Sequence, residues 1–462
     1  MSNIMDIAVI GGGPAGYVSA IKGAQLGGKV ILFERDNVGG TCLNRGCVPT
    51  KTFVKSSDSI KAVKEASICG IHFNDTAFSV NINEVVAHKN AIVNKLTGGV
   101  ITLLKSNGVA VIKGNAVLKG NGKIICAGEE YIAKNIIICC GSKPQIPLIP
   151  GADSSNVITS NEALNIAELP KKLVIVGAGI IGCEFAISFS RFGSEVTIIE
   201  SENVVAPMLD KELSDGISKG LKESGVKVLT STRVDRIKEE NGRTIVEAGG
   251  AEIETDKVIV ATGREPVLDC LNELLEKPLI KNGHIVVDEY CRTSINGIFA
   301  CGDVTDKANL ASAAFKMGEC AAANAMGKEE KVWLKYVPNC IHSAPEAASV
   351  GLTEKEARGI YGEDLLIGKF PFNGNGMALA SNLTMGFVKV LANKKYGEIL
   401  GVHILGANAC EMIAEVCALL TSEITVFEVA ETLHPHPSYS EAFMEACADA
   451  LGKCIHLPKR RR

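Results

Sequence analysis

Two cysteines separated by four residues, in the run Gly39-Gly40-Thr41-Cys42-Leu43-Asn44-Arg45-Gly46-Cys47-Val48-Pro49-Thr50-Lys51, are the residues of this chain best suited to covalent chemistry. Side chains four or five positions apart on a helix can approach one another, so the pair could hold a disulfide across one helical turn. Half a zinc site is the alternative, but no second Cys/His pair with ligand spacing lies nearby. In the cytosol an isolated close pair beside a nucleotide turn reads as redox-active rather than structural.

A redox pair needs a partner for its electrons, and the surrounding elements supply two. An apolar strand over 7–10 runs into Gly11-Gly12-Gly13-Pro14-Ala15-Gly16, a helical pattern follows to Gln25, and a strand over 29–33 ends at Glu34. This is the dinucleotide fingerprint in its proper context: Gly11, Gly13 and Gly16 permit a tight turn that brings backbone N–H groups to a pyrophosphate, and the acid accepts from ribose hydroxyls. The device recurs as a strand over 173–176, Gly177-Ala178-Gly179-Ile180-Ile181-Gly182, a helix to Phe192, and a strand over 195–199 that ends at Glu200. In both copies the acid lies 18 residues after the third glycine. A lone glycine pattern is weak, whereas two copies with matching strands, helices and acid spacing are strong. Two such sites imply a bound electron carrier meeting a diffusible one. A carboxylate at Glu200 binds a ribose diol and repels a 2′-phosphate, and Ser201-Glu202 adds no arginine, so NAD is favoured over NADP.

Composition agrees. A chain of 462 residues divides into roughly three domains at about 150 residues each. Its 48 basic and 52 acidic residues give a net charge of -4, so no basic field is available to hold nucleic acid or an anionic membrane. Sixteen cysteines are too few for a disulfide scaffold and several sit in apolar runs, where they read as reduced, buried, small hydrophobes. No signal peptide and no span-length apolar stretch is evident, which favours a cytoplasmic protein. Strand-like runs over 134–140 and 257–260 each close on a glycine and a proline, and after Val332 the pattern becomes α+β, with alternating stretches over 387–391 and 400–405 and helices over 409–420 and 440–451. The basic run 459–462 reads as a solvated tail.

The run GGTCLNRGCVPTK after GGGPAG, followed by GAGIIGCEFA, ATGREP and IFACGDV, resembles the pyridine nucleotide-disulfide oxidoreductases over nearly the entire chain. The resemblance implies an α/β flavoprotein homodimer with two Rossmann-like dinucleotide-binding domains, for FAD (1–145 and 270–335) and for NAD (146–269, inserted), and a C-terminal α+β dimerisation domain (336–462). It implies that Cys42 is the interchange thiol facing substrate and Cys47 the charge-transfer thiol against the flavin. It places Lys51 and Glu184 as a pair close to the flavin, Asp303 on the ribityl chain, and Thr41, Gly141 and Gly263 among the cofactor contacts. In an unrelated chain His434-Pro435-His436-Pro437-Ser438-Tyr439-Ser440-Glu441 would read as a surface loop. Here it resembles the family's HxHPTxSE segment, with His436 as acid/base acting across the dimer, Glu441 as its orienting carboxylate, His434 structural and the His436-Pro437 bond cis.

Departures are Ser438 for threonine, Cys139-Cys140-Gly141-Ser142 where ATGS is usual, and Ser312 where many relatives have histidine. Within the family, LNRGC, HPHPSYSE and Glu200 look most like members that oxidise dihydrolipoamide with NAD. The partner implied is then a lipoyl-bearing protein of a 2-oxo acid dehydrogenase or glycine cleavage system. Alternatives are a glutathione reductase-like enzyme, a flavin reductase that does not use the cysteine pair, and a non-enzymatic scaffold.

Overall fold

Apolar runs bounded by glycine form the central strands of three sheets in the computed structural model, which describes residues 4–73 and 78–458; the basic run 459–462 lies outside them. In the first sheet the parallel strands lie in the order Ala110–Lys113, Val30–Glu34, Met5–Ile10, Glu129–Ile138, with Ile298–Ala300 beside the last. Helices cover this sheet, so Ile7, Ala8, Val9, Leu32, Ile137 and Ile138 are all buried, which is why these strands read as continuous rather than alternating apolar runs. The strand expected over 134–140 ends at Ile138, because Cys139 and Cys140 turn away toward Gly141, which has a φ of +69°.

The second sheet repeats the plan. Its parallel strands run Lys227–Leu229, Glu195–Ile199, Lys172–Val176, Lys257–Val260, Val157–Thr159, with helix Ile180–Phe192 after the second glycine turn. The chain passes from the first sheet to the second through Ser142–Pro144 and returns through Arg264–Pro266, and these two segments pair antiparallel. The outward and return crossings thus form one double-stranded connection, which holds the two nucleotide turns in register.

The third sheet is antiparallel, in the order Asn339–Ile341, Ala347–Gly351, Ile399–Leu405, Phe387–Asn393, Leu365–Pro371. Its central strands differ from the alternating reading: every residue from Phe387 to Ala392 is buried, and so is every residue from Ile399 to Leu405. Helices cover one face, and the second sheet's unit covers part of the other. Two polar residues are caught in that contact as cross-strand partners, Lys389 and His403. Lys389 Nζ lies 2.5 Å from Asp210, 3.1 Å from Glu212 and 3.0 Å from Glu354. Burial alone would raise the Asp210 pKa, but the hydrogen bond from Lys389 and its neighbours hold it below the ordinary aspartate range.

Removing one member of a buried, paired set strands the others in low dielectric. Lys389→Met is therefore expected to cost about 3–5 kcal/mol, read as a lowered urea midpoint. Because the Asp210 pKa is depressed in the fold, its contribution is full above the usual aspartate range and fades as pH falls through the depressed value. The gap between the variant and the parent should accordingly narrow in acid; a gap that widens there contradicts the assignment.

Candidate active site

Both nucleotide turns are built alike. Helix Pro14–Gln25 starts on Gly13 and helix Ile180–Phe192 on Gly179, with no side-chain cap on either, so the first-turn N–H groups of both helices are left for an anion. Gly11 and Gly177 have φ of +100° and +104°, and a Cβ there would lie 2.3 Å from the Cys139 carbonyl oxygen or 2.5 Å from that of Ala261. Gly16 and Gly182 seat their helices on the turns: a Cβ would stand 1.8 Å and 2.0 Å from the Gly11 and Gly177 carbonyl oxygens. A Cβ at Gly13 or Gly179 would meet its nearest neighbour only at 3.7 Å or 4.0 Å, so the backbone presents open room where a pyrophosphate must sit.

The strand-end acids close the same loops. Glu34 accepts from the Gly12 N–H at 2.6 Å and the Asp36 N–H at 2.7 Å. Glu200 accepts from the Ala178 N–H at 2.7 Å and the Glu202 N–H at 2.9 Å. Each carboxylate is thereby fixed beside its glycine turn, and both line one continuous cavity of about 1000 Å³ that also includes Cys42, Cys47, Gly141, Gly263 and Asp303.

The cysteine pair differs from the single helical turn expected. Cys42 lies in helix Gly40–Arg45 and Cys47 opens helix Cys47–Glu65, with Gly46 at φ -139° and ψ -112° breaking the two apart. A side chain at Gly46 would press to 2.9 Å on the Thr41 carbonyl oxygen, so the break brings the thiols together only with glycine at this position. The Cys42 thiol hydrogen-bonds the Cys47 sulfur; this bond raises the Cys42 pKa and is the largest cause of Cys47 falling to about 7, against burial and with help from the Lys51 charge. Cys47 is therefore the thiolate of the pair near neutral pH.

Lys51 stands one helical turn beyond Cys47. Helix Cys47–Glu65 packs on helix Ile180–Phe192 through Phe53, which meets the rings of Phe189 and Phe192 at 6.4 Å and 5.9 Å. That packing brings Lys51 Nζ to 2.7 Å and 2.9 Å from the two oxygens of the buried Glu184, which also accepts from the His342 N–H at 2.9 Å. Asp303 accepts at 2.5 Å from the Ser142 hydroxyl. Arg264 organises this side of the cavity: Nε donates to the Ser142 hydroxyl at 2.7 Å, and Nη2 to the Ser142 carbonyl at 2.7 Å and to Thr41 Oγ1 at 3.4 Å. Neither Arg264 nor Ser142 was singled out by sequence reasoning, although ATGREP and the serine after Gly141 were the available signals.

His436 and Glu441 do not line this cavity within one chain. They form a dyad elsewhere: His436 Nδ1 lies 2.8 Å from Glu441 Oε1, and Glu441 Oε2 accepts from the Ser438 N–H at 2.8 Å. The imidazole is 79% exposed, which leaves Nε2 presented outward. His434 is buried instead, between Glu415 at 3.0 Å and the Thr432 carbonyl at 3.0 Å, as a structural histidine should be. The His436-Pro437 bond is cis.

A dithiol placed between two dinucleotide turns defines an electron-transferring oxidoreductase, and the comparisons with known proteins specify which. Residues 5–318 match the family described as "Pyridine nucleotide-disulphide oxidoreductase", and residues 337–447 match its dimerisation domain. The chain belongs to this family. It is 38% identical to a dihydrolipoyl dehydrogenase of Bacillus subtilis (strain 168), over 98% of this chain and 100% of that one. It is 40% identical to a dihydrolipoyl dehydrogenase of Thermus scotoductus (98% and 99%) and 39% identical to that of Geobacillus stearothermophilus (98% and 97%). Among solved structures it is similar to the HOCl-induced flavoprotein disulfide reductase RclA from Escherichia coli, with a TM-score of 0.86, 28% identity, and 96% and 99% of the two chains covered. The chain is an NAD-dependent flavoprotein oxidoreductase with two Rossmann-like units, and its uncapped helices and side-chain-free turns fit FAD and NAD.

Two outcomes test this geometry. The ultraviolet thiolate absorbance of the reduced protein, taken as a difference from Cys47→Ala, should rise with a midpoint near pH 7, and Lys51→Met should move the midpoint up because it removes a positive charge that favours the thiolate. Glu200→Ala combined with Ser201→Arg should shift preference toward NADP by about tenfold or more in kcat/KM, since the variant removes the anion that repels a 2′-phosphate; an unchanged ratio removes Glu200 from the selectivity.

Proposed function

We propose that the chain oxidises protein-bound dihydrolipoamide to lipoamide and reduces NAD+, with Cys42 and Cys47 as the cycling pair. The observation that carries this reading is the placement of Cys42 and Cys47 in one cavity that both nucleotide turns line, with Lys51 a helical turn from Cys47; the lowered Cys47 pKa agrees with a leaving thiolate. The dihydrolipoyl dehydrogenases among the relatives support the substrate.

In this reading His436, oriented through Nδ1 by Glu441, takes the proton of one substrate thiol on Nε2. Burial pushes the Glu441 pKa up, but the Ser438 N–H and His436 outweigh it and hold the carboxylate charged, which favours the tautomer with Nε2 free. The substrate thiolate attacks Cys42 of the oxidised pair; the Cys42–Cys47 bond breaks and Cys47 departs with the electron pair as a thiolate held by Lys51. The second substrate sulfur then displaces Cys42 from the mixed disulfide and closes lipoamide, so two electrons now reside on the pair. Bound FAD supplies the two-electron path from this dithiol to NAD+. Glu34, Thr41, Gly141, Asp303 and the first glycine turn hold FAD, and Glu200, Gly263 and the second glycine turn hold NAD.

The dimerisation domain supports a homodimer, and the outward-facing dyad gives it a purpose: His436 of one copy serves the dithiol of the other. We assign residues 1–145 and 270–335 to the FAD unit, 146–269 to the inserted NAD unit and 336–462 to the interface unit. Among the described residues no helix is long and apolar enough to cross a membrane. The cysteine count, too low for a disulfide scaffold, supports a cytoplasmic setting.

Steady-state NAD+ reduction by dihydrolipoamide, run beside NADPH oxidation by glutathione disulfide, decides the substrate. Activity in the first assay is expected, with a loss of at least about a thousandfold in kcat for Cys47→Ser and of about 10²–10⁴-fold for His436→Gln. Activity confined to the second assay contradicts the reading.

A further inference from the structure

Away from the dithiol, the described residues bring a second set of metal-ligating side chains together where the third sheet meets helix Ala409–Thr421. His342, Glu346 and Cys410 each offer one ligand atom, and these atoms lie within 4.8 Å of one another. His342 Nδ1 and a Glu346 oxygen are 3.9 Å apart, close to the about 3.5 Å edge that N and O ligands keep around tetrahedral zinc. Cys340, whose thiol is in hydrogen-bond contact with that of Cys410, borders this group and lines the catalytic cavity rather than joining the three ligands.

The backbone fixes these positions. Strands Asn339–Ile341 and Ala347–Gly351 pair antiparallel, so the connection between them carries His342 at one end and Glu346 at the other, with Cys340 on the preceding strand. Cys410 sits in the first turn of helix Ala409–Thr421, and its N–H donates to Glu346 at 3.3 Å. The surroundings are acidic. Burial is the main cause that raises the Glu346 pKa, and Asp58 and Glu411 add to it as like charges, while His342 is the basic group that opposes them. Asp58 is itself paired with Arg191, and the Lys51 charge that reaches Cys340 is committed to Glu184.

We propose that His342, Glu346 and Cys410 form a binding site for a borderline-soft divalent cation of the zinc class, separate from the catalytic pair. One sulfur, one imidazole and one carboxylate are ligand types that zinc takes in proteins, and three of them leave a fourth position for water. Filling it would fix the segment whose His342 N–H holds Glu184, and through Glu184 the position of Lys51 beside Cys47. The ion takes no part in electron transfer.

The test reads metal rather than turnover, so its failure and the failure of the proposed function are distinguishable. FAD-loaded Cys42→Ser/Cys47→Ser protein, kept reduced so that the active-site thiols cannot bind metal, is dialysed against Zn2+ and the bound zinc is counted. One zinc per chain is expected, with binding at least tenfold weaker when His342→Ala or Cys410→Ser is added. X-ray absorption of the bound ion should show sulfur at about 2.3 Å together with lighter ligands. If His342→Ala loses its FAD, His342→Gln, which keeps the volume, decides in its place. Absence of zinc binding overturns the proposal. Binding that neither substitution weakens also overturns it, including binding moved to the contact of Cys454 and His456 with Glu445.

Discussion

Everything about this site depends on one ion pair in a place where three sheets meet. Lys51 comes from helix Cys47–Glu65, which opens on the second cysteine, Glu184 from the helix that follows the second nucleotide turn, and the His342 N–H that completes the carboxylate from the end of the first strand of the third sheet. A carboxylate as buried as Glu184 persists only when its charge is met, and here both oxygens are engaged. The pair therefore serves as a geometric lock. It places a positive charge one helical turn from Cys47 and ties the dithiol to the wall that both nucleotide turns share.

The electrostatics of the cysteines follow from that lock. A thiol donated to its neighbour cannot itself be the thiolate, so the Cys42–Cys47 hydrogen bond separates the two by role, and the Lys51 charge stabilises the one that remains. The break at Gly46 matters equally. A continuous helix would put Cys42 and Cys47 five positions apart on one cylinder, whereas ending one short helix and starting a longer one lets Cys47 begin a helix at its positive end. Of the other fourteen cysteines eight are buried, among them Cys139, which meets Cys301 at 3.3 Å beneath the first turn. Cys340, which shares a thiol hydrogen bond and the Lys51 charge, lies on a strand and has no helix start beneath it.

Much of this arrangement was legible in the sequence, for a physical reason. Gly11, Gly16, Gly177 and Gly182 occupy positions where a Cβ would collide with a carbonyl, so residue type alone reports the local geometry. Glu34 and Glu200 sit at a spacing set by one helix and one strand. The break between the cysteines was hidden because Gly46 is one of three glycines in the run from Gly39 to Lys51, and residue type alone does not say which of them ends a helix. The burial of Lys389 and His403 was not legible, because the alternation over 387–391 and 400–405 carries no record of a second unit packed against the sheet. Arg264 acts through three acceptor atoms on two residues distant in sequence, Ser142 and Thr41, which no local pattern encodes.

In the proposed function two electrons pass through Cys42 and Cys47 between a dithiol substrate and NAD. Its most direct test is differential alkylation with peptide mass analysis, performed on the anaerobic FAD-loaded enzyme before and after a small excess of NADH. The account predicts that Cys42 and Cys47 are blocked as a disulfide beforehand and become labelled afterwards, while the labelling of the other fourteen cysteines does not change. Labelling at Cys42 and Cys47 that is the same in both samples would contradict it.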